Sequence, residues 1–237
     1  MRTGLAVLAV LGLVLGSLYY VGIHRPKQAQ RAKVARAAAV VERYRADVVA
    51  RDADLQAIAR TLATLEHHDA EPPLPEGTPY AIVMTGFLRT RAGLPPLASE
   101  PSLSSRIYLD QATSLVETGR RFAYDDGSND DAAMAERMLA PVATLRYALL
   151  VDTPVYRAPV AGRDDTFTMG TWTANAYFVD VPARRYIAGW TVSANSSATV
   201  RQGGISQGSI ALDDDLAKQI EQSLASGVRR HVNGLGW

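Results

Sequence analysis

The chain contains no cysteine. This absence excludes disulfides, thiolate metal sites, a lipidated cysteine and a cysteine nucleophile. The chain also has almost no net charge, because 25 Lys and Arg residues face 24 Asp and Glu residues. The basic residues concentrate near the N-terminus and do not alternate with aromatics, so charge gives no case for a nucleic-acid partner. No motif implies a cofactor or a metal, and no set of residues resembles a known family closely enough to name it.

Charged residues are missing altogether from Thr3 to Ile23, a stretch of 21 residues. As a helix it would be roughly 31 Å long, which matches the hydrocarbon core of a bilayer. A cleaved secretory signal is the alternative, but its apolar core is usually about 7 to 15 residues and ends at a small-residue cleavage site. Here the stretch ends near Tyr19 and Tyr20, which suit a membrane interface. The sequence therefore predicts a transmembrane anchor over residues 1–25.

Two arguments about membrane orientation disagree. Five basic residues follow the apolar stretch without one acid, and a charge count alone would keep the rest of the chain in the cytoplasm: Arg25, Lys27, Arg31, Lys33 and Arg36. A long downstream domain, however, translocates largely regardless of charge, and the two-residue leader is typical of a signal anchor. We expect a single-pass protein of a bacterial inner membrane, with the lipid bilayer as one partner and the C-terminal domain in the periplasm.

A heptad pattern follows the basic cluster. Valine and leucine recur every seven residues, with a second set of mainly apolar residues between them: Val34, Val41, Val48, Leu55 and Leu62, then Ala37, Tyr44, Arg51, Ile58 and Leu65. The pattern predicts a helical stalk over residues 26–68 that could form a coiled coil. Gly12 and Gly16, at GxxxG spacing, favour a homodimer. The Asp47 and Asp52 positions would repel each other in a parallel zipper, so packing of the stalk on its own domain or on another protein stays open.

Four prolines in residues 69–79 end the stalk and predict an extended linker. The remainder, residues 80–237, predicts an α+β domain. Strands are expected near 79–89 and 145–151, a hairpin near 168–180 and 186–194, and helices near 105–118, 131–139 and 214–232. The last helix carries an apolar stripe formed by Leu216, Ile220, Leu224 and Val228. We expect that stripe to cover one face of an antiparallel sheet.

One motif suggests a hydrolase. Residues 204–208 read G-x-S-x-G around Ser206, and Asp213 to Asp215 and His231 follow in the order serine, acid, histidine. The acid and the histidine lie within 25 residues of the serine, and the chain lacks the repeated βα units of a hydrolase sheet. The pattern favours a Gly/Ser loop before a capped helix over a nucleophile elbow.

Three other groups have ordinary structural interpretations. The acidic turn Asp125 to Asp131 resembles a calcium loop, but its glycine and its last acid are misplaced, which favours a solvated turn. His67 and His68 are adjacent and would point apart at a helix end, which disfavours a shared metal. Five aromatics of the hairpin could line a ligand pocket, although core packing is more typical of such strands: Trp172, Tyr177, Phe178, Tyr186 and Trp190.

These patterns lead to one functional hypothesis and two alternatives. The main hypothesis is a non-enzymatic envelope protein, anchored in the membrane, whose α+β domain binds or scaffolds an unknown envelope protein. The first alternative is a membrane-anchored serine hydrolase that uses Ser206. The second is an extracytoplasmic protein that binds a small molecule. The sequence assigns no catalytic, cofactor-binding or metal-binding residue beyond these hypotheses.

Overall fold

A computed structural model describes residues 25–97, 100–103, 106–107, 109–118, 131–162, 167–197 and 208–235. The predicted membrane span lies outside these ranges. Among the described residues, no helix is both long enough and apolar enough to cross a bilayer. The anchor therefore stays a prediction.

The longest helix, α1, spans Arg25–Ala59 and is followed by a 3-10 turn at Leu62–Thr64. It ends nine residues before the predicted end at residue 68. Its N-terminal part is mostly exposed, as Val34 shows with 40 % of its surface accessible. From Val40 onward the heptad face is buried, and Val48 and Leu55 are both 0 % exposed. The predicted periodicity is therefore present, and it marks a face that is covered only along the second half of the helix.

The remaining elements form an α+β domain. In chain order they are β1 (Ala81–Met84), α2 (Thr85–Arg91), α3 (Leu109–Thr118), α4 (Asp131–Ala143), β2 (Tyr147–Arg157), β3 (Val160–Ala161), β4 (Phe167–Thr168), β5 (Thr171–Asp180), β6 (Arg185–Asn195) and α5 (Gly208–His231). The predicted hairpin corresponds to β5 and β6. The strand expected to reach residue 89 ends at Met84 instead, where the chain turns directly into α2.

The main sheet has the strand order β1-β2-β5-β6 and is mixed. The β2–β5 and β5–β6 pairs are antiparallel, whereas β1 is parallel to β2. The prediction of an antiparallel sheet was therefore wrong at one edge. The cause is the long connection through α2, α3 and α4, which returns the chain to the end of the sheet from which β1 started. A separate two-stranded ribbon pairs β3 with β4.

Helices cover both faces of this sheet. On the first face, Val48 and Leu55 of α1 join α3, α4 and the inward residues Leu150 and Val179 in one apolar cluster. On the second face, α5 packs against the sheet with the predicted stripe, whose four members are all buried: Leu216, Ile220, Leu224 and Val228. The heptad seam is thus intramolecular from Val41 onward. The linker predicted at residues 69–79 therefore lies between the helix α1 and the α+β domain, which share one apolar core.

Ion pairs fix α1 laterally on the domain. Asp52, 5 % exposed, pairs with Arg91 of α2 at 2.8 Å. Asp54, 8 % exposed, pairs with Arg184 in the β5–β6 turn at 2.7 Å. Arg51, the charged residue in the heptad seam, also contacts Asp54 at 3.3 Å. Removing one partner of such a pair leaves a buried charge uncompensated, so these pairs favour one register of the helix on the domain.

Candidate ligand pocket

Polar side chains gather where β1 ends and its parallel pairing with β2 stops. The chain enters α2 directly after β1, which places Thr85 beside Asp152 of β2. The Thr85 hydroxyl donates a hydrogen bond to Asp152 Oδ1 at 2.8 Å, and Arg89 Nη1 lies 3.2 Å from the same oxygen. The carboxyl ends of parallel strands are a common location for binding sites in α/β sheets. Here this end is held together by a hydroxyl, a guanidinium and a carboxylate.

Glu100 connects this cluster to the loop that precedes α3. Its Oε1 accepts a hydrogen bond from the Gly86 backbone N–H at 2.7 Å. A Cβ at Gly86 would stand 2.7 Å from the Glu100 carboxylate, so a side chain at this position would displace that carboxylate. Burial raises the pKa of Glu100, while the Gly86 N–H and the charge of Arg106 act in the opposite direction. Glu100 is thus a half-buried acid with an elevated pKa.

A cavity of about 550 Å³ opens beside Glu100. Leu103 and Leu216, both 1 % exposed, provide buried apolar lining, and Tyr156 lines the cavity from β2. Burial raises the pKa of the Tyr156 hydroxyl, and the charge of Asp213 raises it further. The volume lies within the range of small-molecule sites, about 300–1,000 Å³.

The rest of the lining is predominantly acidic. Within the part of the chain that the structure describes, four carboxyl groups and one ammonium group line the cavity: Glu100, Asp213, Asp214, Glu221 and Lys218. All except Glu100 lie in α5, where residues three and four positions apart share a face of the helix. Glu100 also lines a second cavity of about 110 Å³ with Phe87 and Ile107. One carboxyl group therefore stands between two voids.

The residues of the hydrolase hypothesis do not all converge. Asp213 to Asp215 lie in the N-terminal third of α5, and His231 is its last residue. At 1.5 Å per residue they are separated by about 24–27 Å, so they cannot form one triad. Asp215 accepts hydrogen bonds from the Ser197 backbone N–H and hydroxyl at 2.6 and 2.8 Å, and His231 Nδ1 lies 2.6 Å from Asp69. Ser206 lies outside the described residues.

The other candidate groups are dispersed. The His67 ring makes a T-shaped contact with Tyr177 at 5.9 Å between ring centroids, and the His68 ring makes one with Tyr186 at 4.6 Å. The two histidines lie beyond the end of α1 and not at a helix end as predicted. The acidic turn, up to residue 130, lies outside the described residues. Within the part of the chain that the structure describes, no three His, Asp or Glu side chains are placed to hold a metal.

The hairpin aromatics are divided between the two faces of the sheet. Trp172, Phe178 and Trp190 belong to the apolar cluster under α5, whereas Tyr177 and Tyr186 belong to the cluster on the α1 side. They do not line one pocket, and the prediction of core packing is confirmed. The cavity instead uses Glu100, Tyr156 and Asp213, which the sequence analysis did not bring together.

No model of a known protein family matches the sequence, and no curated protein matches it either. Function is therefore inferred from the cavity and its charges. One signal for the site was present in the sequence, since Asp152 interrupts the apolar strand that begins at Tyr147. Glu100 lies in a proline-rich loop without periodicity, where no pattern distinguishes it from a solvated acid.

Proposed function

We propose that this protein is a membrane-anchored binding module whose cavity beside Glu100 takes a small ligand carrying one or more amino groups. The observation that carries this proposal is the combination of apolar and acidic lining in one cavity of about 550 Å³. Apolar walls favour a ligand with a hydrocarbon portion, and the surplus of carboxylates favours a cationic group. The proposal selects the small-molecule alternative among the hypotheses drawn from the sequence.

The electrostatic support comes from the balance of charges around the cavity. With its four carboxyl groups ionised, the lining would carry three more negative than positive charges among the described residues, because Lys218 is the one cation that they contribute. Burial raises the pKa of Glu100, and an approaching cation would favour its ionised form and so lower that pKa. A pair of opposite charges about 4 Å apart is worth about 1 kcal/mol in water and more where solvent is partly excluded.

The anchoring part of the proposal rests on the apolar stretch from Thr3 to Ile23 and on α1, which begins at Arg25, two residues later in the sequence. The first half of α1 is largely exposed, and the second half is held by core packing and by the ion pairs of Asp52 and Asp54. A continuous helix that is embedded at its distal end acts as a rigid spacer. The cavity would therefore be held at a fixed distance from the bilayer.

Calorimetric titration of the full chain with spermidine tests the binding proposal. We expect saturable binding that weakens with added salt, because ions screen exposed charges. Asp213→Asn and Asp214→Asn should each weaken binding by about fivefold, which corresponds to the roughly 1 kcal/mol of one charge pair.

Asp47→Asn is the matched control, because Asp47 is an exposed acid on α1 and does not line the cavity. Its titration should resemble that of the unchanged chain. Fully N-acetylated spermidine, which keeps the carbon skeleton and lacks the charges, should not bind. The absence of spermidine binding, or equal affinity in all three variants, would contradict the proposal.

A further inference from the structure

The main sheet ends at β6, and among the described residues no strand pairs with the outer side of β6. We infer that this side binds an extended segment of another polypeptide, which adds a fifth strand to the four-stranded sheet. The binding groups are the backbone N–H and C=O groups of Thr191, Ser193 and Asn195, which we call the open edge. The inference concerns a protein partner, goes beyond the proposed amine site and does not depend on that site.

Two hydrogen bonds show which way the backbone groups of β6 point. Successive residues of a strand turn their N–H and C=O groups to opposite sides. The Ser196 N–H donates to the Gly170 carbonyl beside β5 at 3.1 Å, so even-numbered residues face β5. The Gly189 N–H instead donates to the His68 carbonyl at 2.9 Å, on the side away from β5. The odd-numbered residues of the open edge therefore present three N–H and three C=O groups outward.

The protein already pairs extended segments with both edges of this sheet. At the β1 edge, Arg106 forms a parallel bridge with Ile82, and the Ile107 N–H donates to the Ile82 carbonyl at 3.1 Å. At the β6 edge, the His68 carbonyl accepts the outward N–H of Gly189. In the described ranges, no backbone group continues this pairing beyond Gly189. The open edge is thus the unfilled continuation of a pairing that the chain itself begins.

The open edge also lacks the features that usually prevent strand addition. Exposed edges of natural sheets are commonly short, or they carry charges, proline or a β-bulge. Strand β6 is 11 residues long, contains no proline and has no charged residue after Arg185. The register shift between β5 and β6 lies at Phe178 and Val179, away from the open edge. The side chains of the three open-edge residues are exposed, so another strand can approach.

The backbone groups define the chemistry of the partner. Alternate residues of a strand are about 6.6 Å apart, so an antiparallel segment of five residues can form six hydrogen bonds with the open edge. The three edge carbonyls require N–H donors, which excludes proline from the partner residues that face β6. In this type of recognition the main chain supplies the affinity. The partner is therefore an extended polypeptide segment without proline at alternate positions.

A second copy of the chain does not fit the open edge. Antiparallel pairing of β6 with itself would relate the two copies by a two-fold axis perpendicular to the sheet. Helix α1 lies along the sheet, because Val48 and Leu55 both pack in the cluster on its first face. A half-turn about that axis would point the two helix N-termini in opposite directions. Two chains anchored in one bilayer need N-termini that point the same way, so the partner is a different polypeptide.

Amide NMR of the full chain in lipid nanodiscs tests the inference. In the free chain, the open-edge amides should exchange with solvent faster than those of Trp190, Val192 and Ala194, which face β5. The ligands are end-blocked octapeptides made of four repeats of Thr-Val, of Gln-Ile or of Ser-Phe, all strongly alternating sequences. We expect at least one peptide to shift the open-edge amide signals and to slow their exchange by about tenfold.

Ser193→Pro removes one outward N–H and keeps the bonds to β5, because proline is tolerated on the open side of an edge strand. This variant should weaken peptide binding by about tenfold or more, since a hydrogen bond is lost and the proline ring collides with the added strand. Ser193→Ala keeps the N–H and should weaken binding by less than about twofold. Thermal melting verifies that both variants fold. A peptide N-methylated at every residue keeps its side chains and loses its donors, so it should not bind even to the unchanged chain.

Several results would overturn the inference. Open-edge amides that exchange as slowly as the Val192 amide in the free chain would show that another part of the chain already covers the edge. Strand addition would also be wrong if no peptide shifts these amides, if the N-methylated peptide binds, or if Ser193→Ala weakens binding as much as Ser193→Pro. Finally, a dimer of the unchanged chain that Ser193→Pro dissociates in sedimentation would make the open edge a contact between two copies.

Discussion

Val48→Ala and Val34→Ala together test whether α1 belongs to the core. Both valines occupy the same heptad position, two heptads apart, and the substitution is chemically identical. Val48 is 0 % exposed inside the cluster formed with the sheet, whereas Val34 is 40 % exposed. The gain in helix propensity from valine to alanine applies to both sites and therefore cancels in their difference.

The expected magnitude follows from burial. Val48→Ala removes two buried carbons at about 0.8 kcal/mol each and leaves a small cavity, so the free energy of unfolding should fall by about 2–3 kcal/mol. Val34→Ala should change it by about 0.5 kcal/mol or less, as is usual for exposed positions. Because a typical domain is stable by about 5–15 kcal/mol, the first effect is large and the second is small.

Tryptophan fluorescence during urea unfolding measures the difference. Trp172 and Trp190 lie in the apolar cluster under α5, on the other side of the sheet from Val48. A shift of their transition by about 1 M urea in Val48→Ala would show that α1 and the sheet unfold together. Equal midpoints for the two variants would refute the reasoning. In that case the helix would be an independent stalk, and sedimentation of the unchanged chain should then reveal a homodimer through the seam.

Two further predictions concern Glu100 and the membrane. Burial raises the pKa of Glu100 in the folded protein above its value of 4.5 in the unfolded chain. The contribution of Glu100 to the free energy of unfolding is therefore fully present below pH 4.5 and is lost as the pH rises through the folded-state pKa. Glu100→Gln should therefore be at least as stable as the unchanged chain at pH 7, with the advantage vanishing as the pH falls toward 4.5. Urea unfolding between pH 4.5 and pH 7 measures the difference in the free energy of unfolding, and Glu66→Gln, at an exposed position, is the control. A Glu100→Gln variant that is less stable than the unchanged chain at pH 7 would contradict the prediction. For the membrane, a reporter active only outside the cytoplasm and fused after Trp237 should be active; activity of a cytoplasm-only reporter there would reverse the proposed orientation.

The sequence determined the local periodicities of this protein. The heptad residues Val41, Val48 and Leu55 are buried, and so is the stripe of α5 from Leu216 to Val228. The alternation in β5 likewise separates the buried Trp172 and Ala174 from the half-buried Thr171 and Thr173. These features were readable because helix and strand geometry fix which side chains share a face, whatever packs against them.

The tertiary structure alone decided what covers each face. The heptad seam of α1 is equally suited to a second helix or to its own sheet, and only the fold brings Val48 to Leu150 in one core. The parallel pairing of β1 with β2 depends on three intervening helices, which no local pattern encodes. The cavity unites Glu100 with Asp213, residues more than a hundred positions apart in the chain. Periodicity identifies a buried face, but proximity between distant residues arises only when all the faces are packed at once.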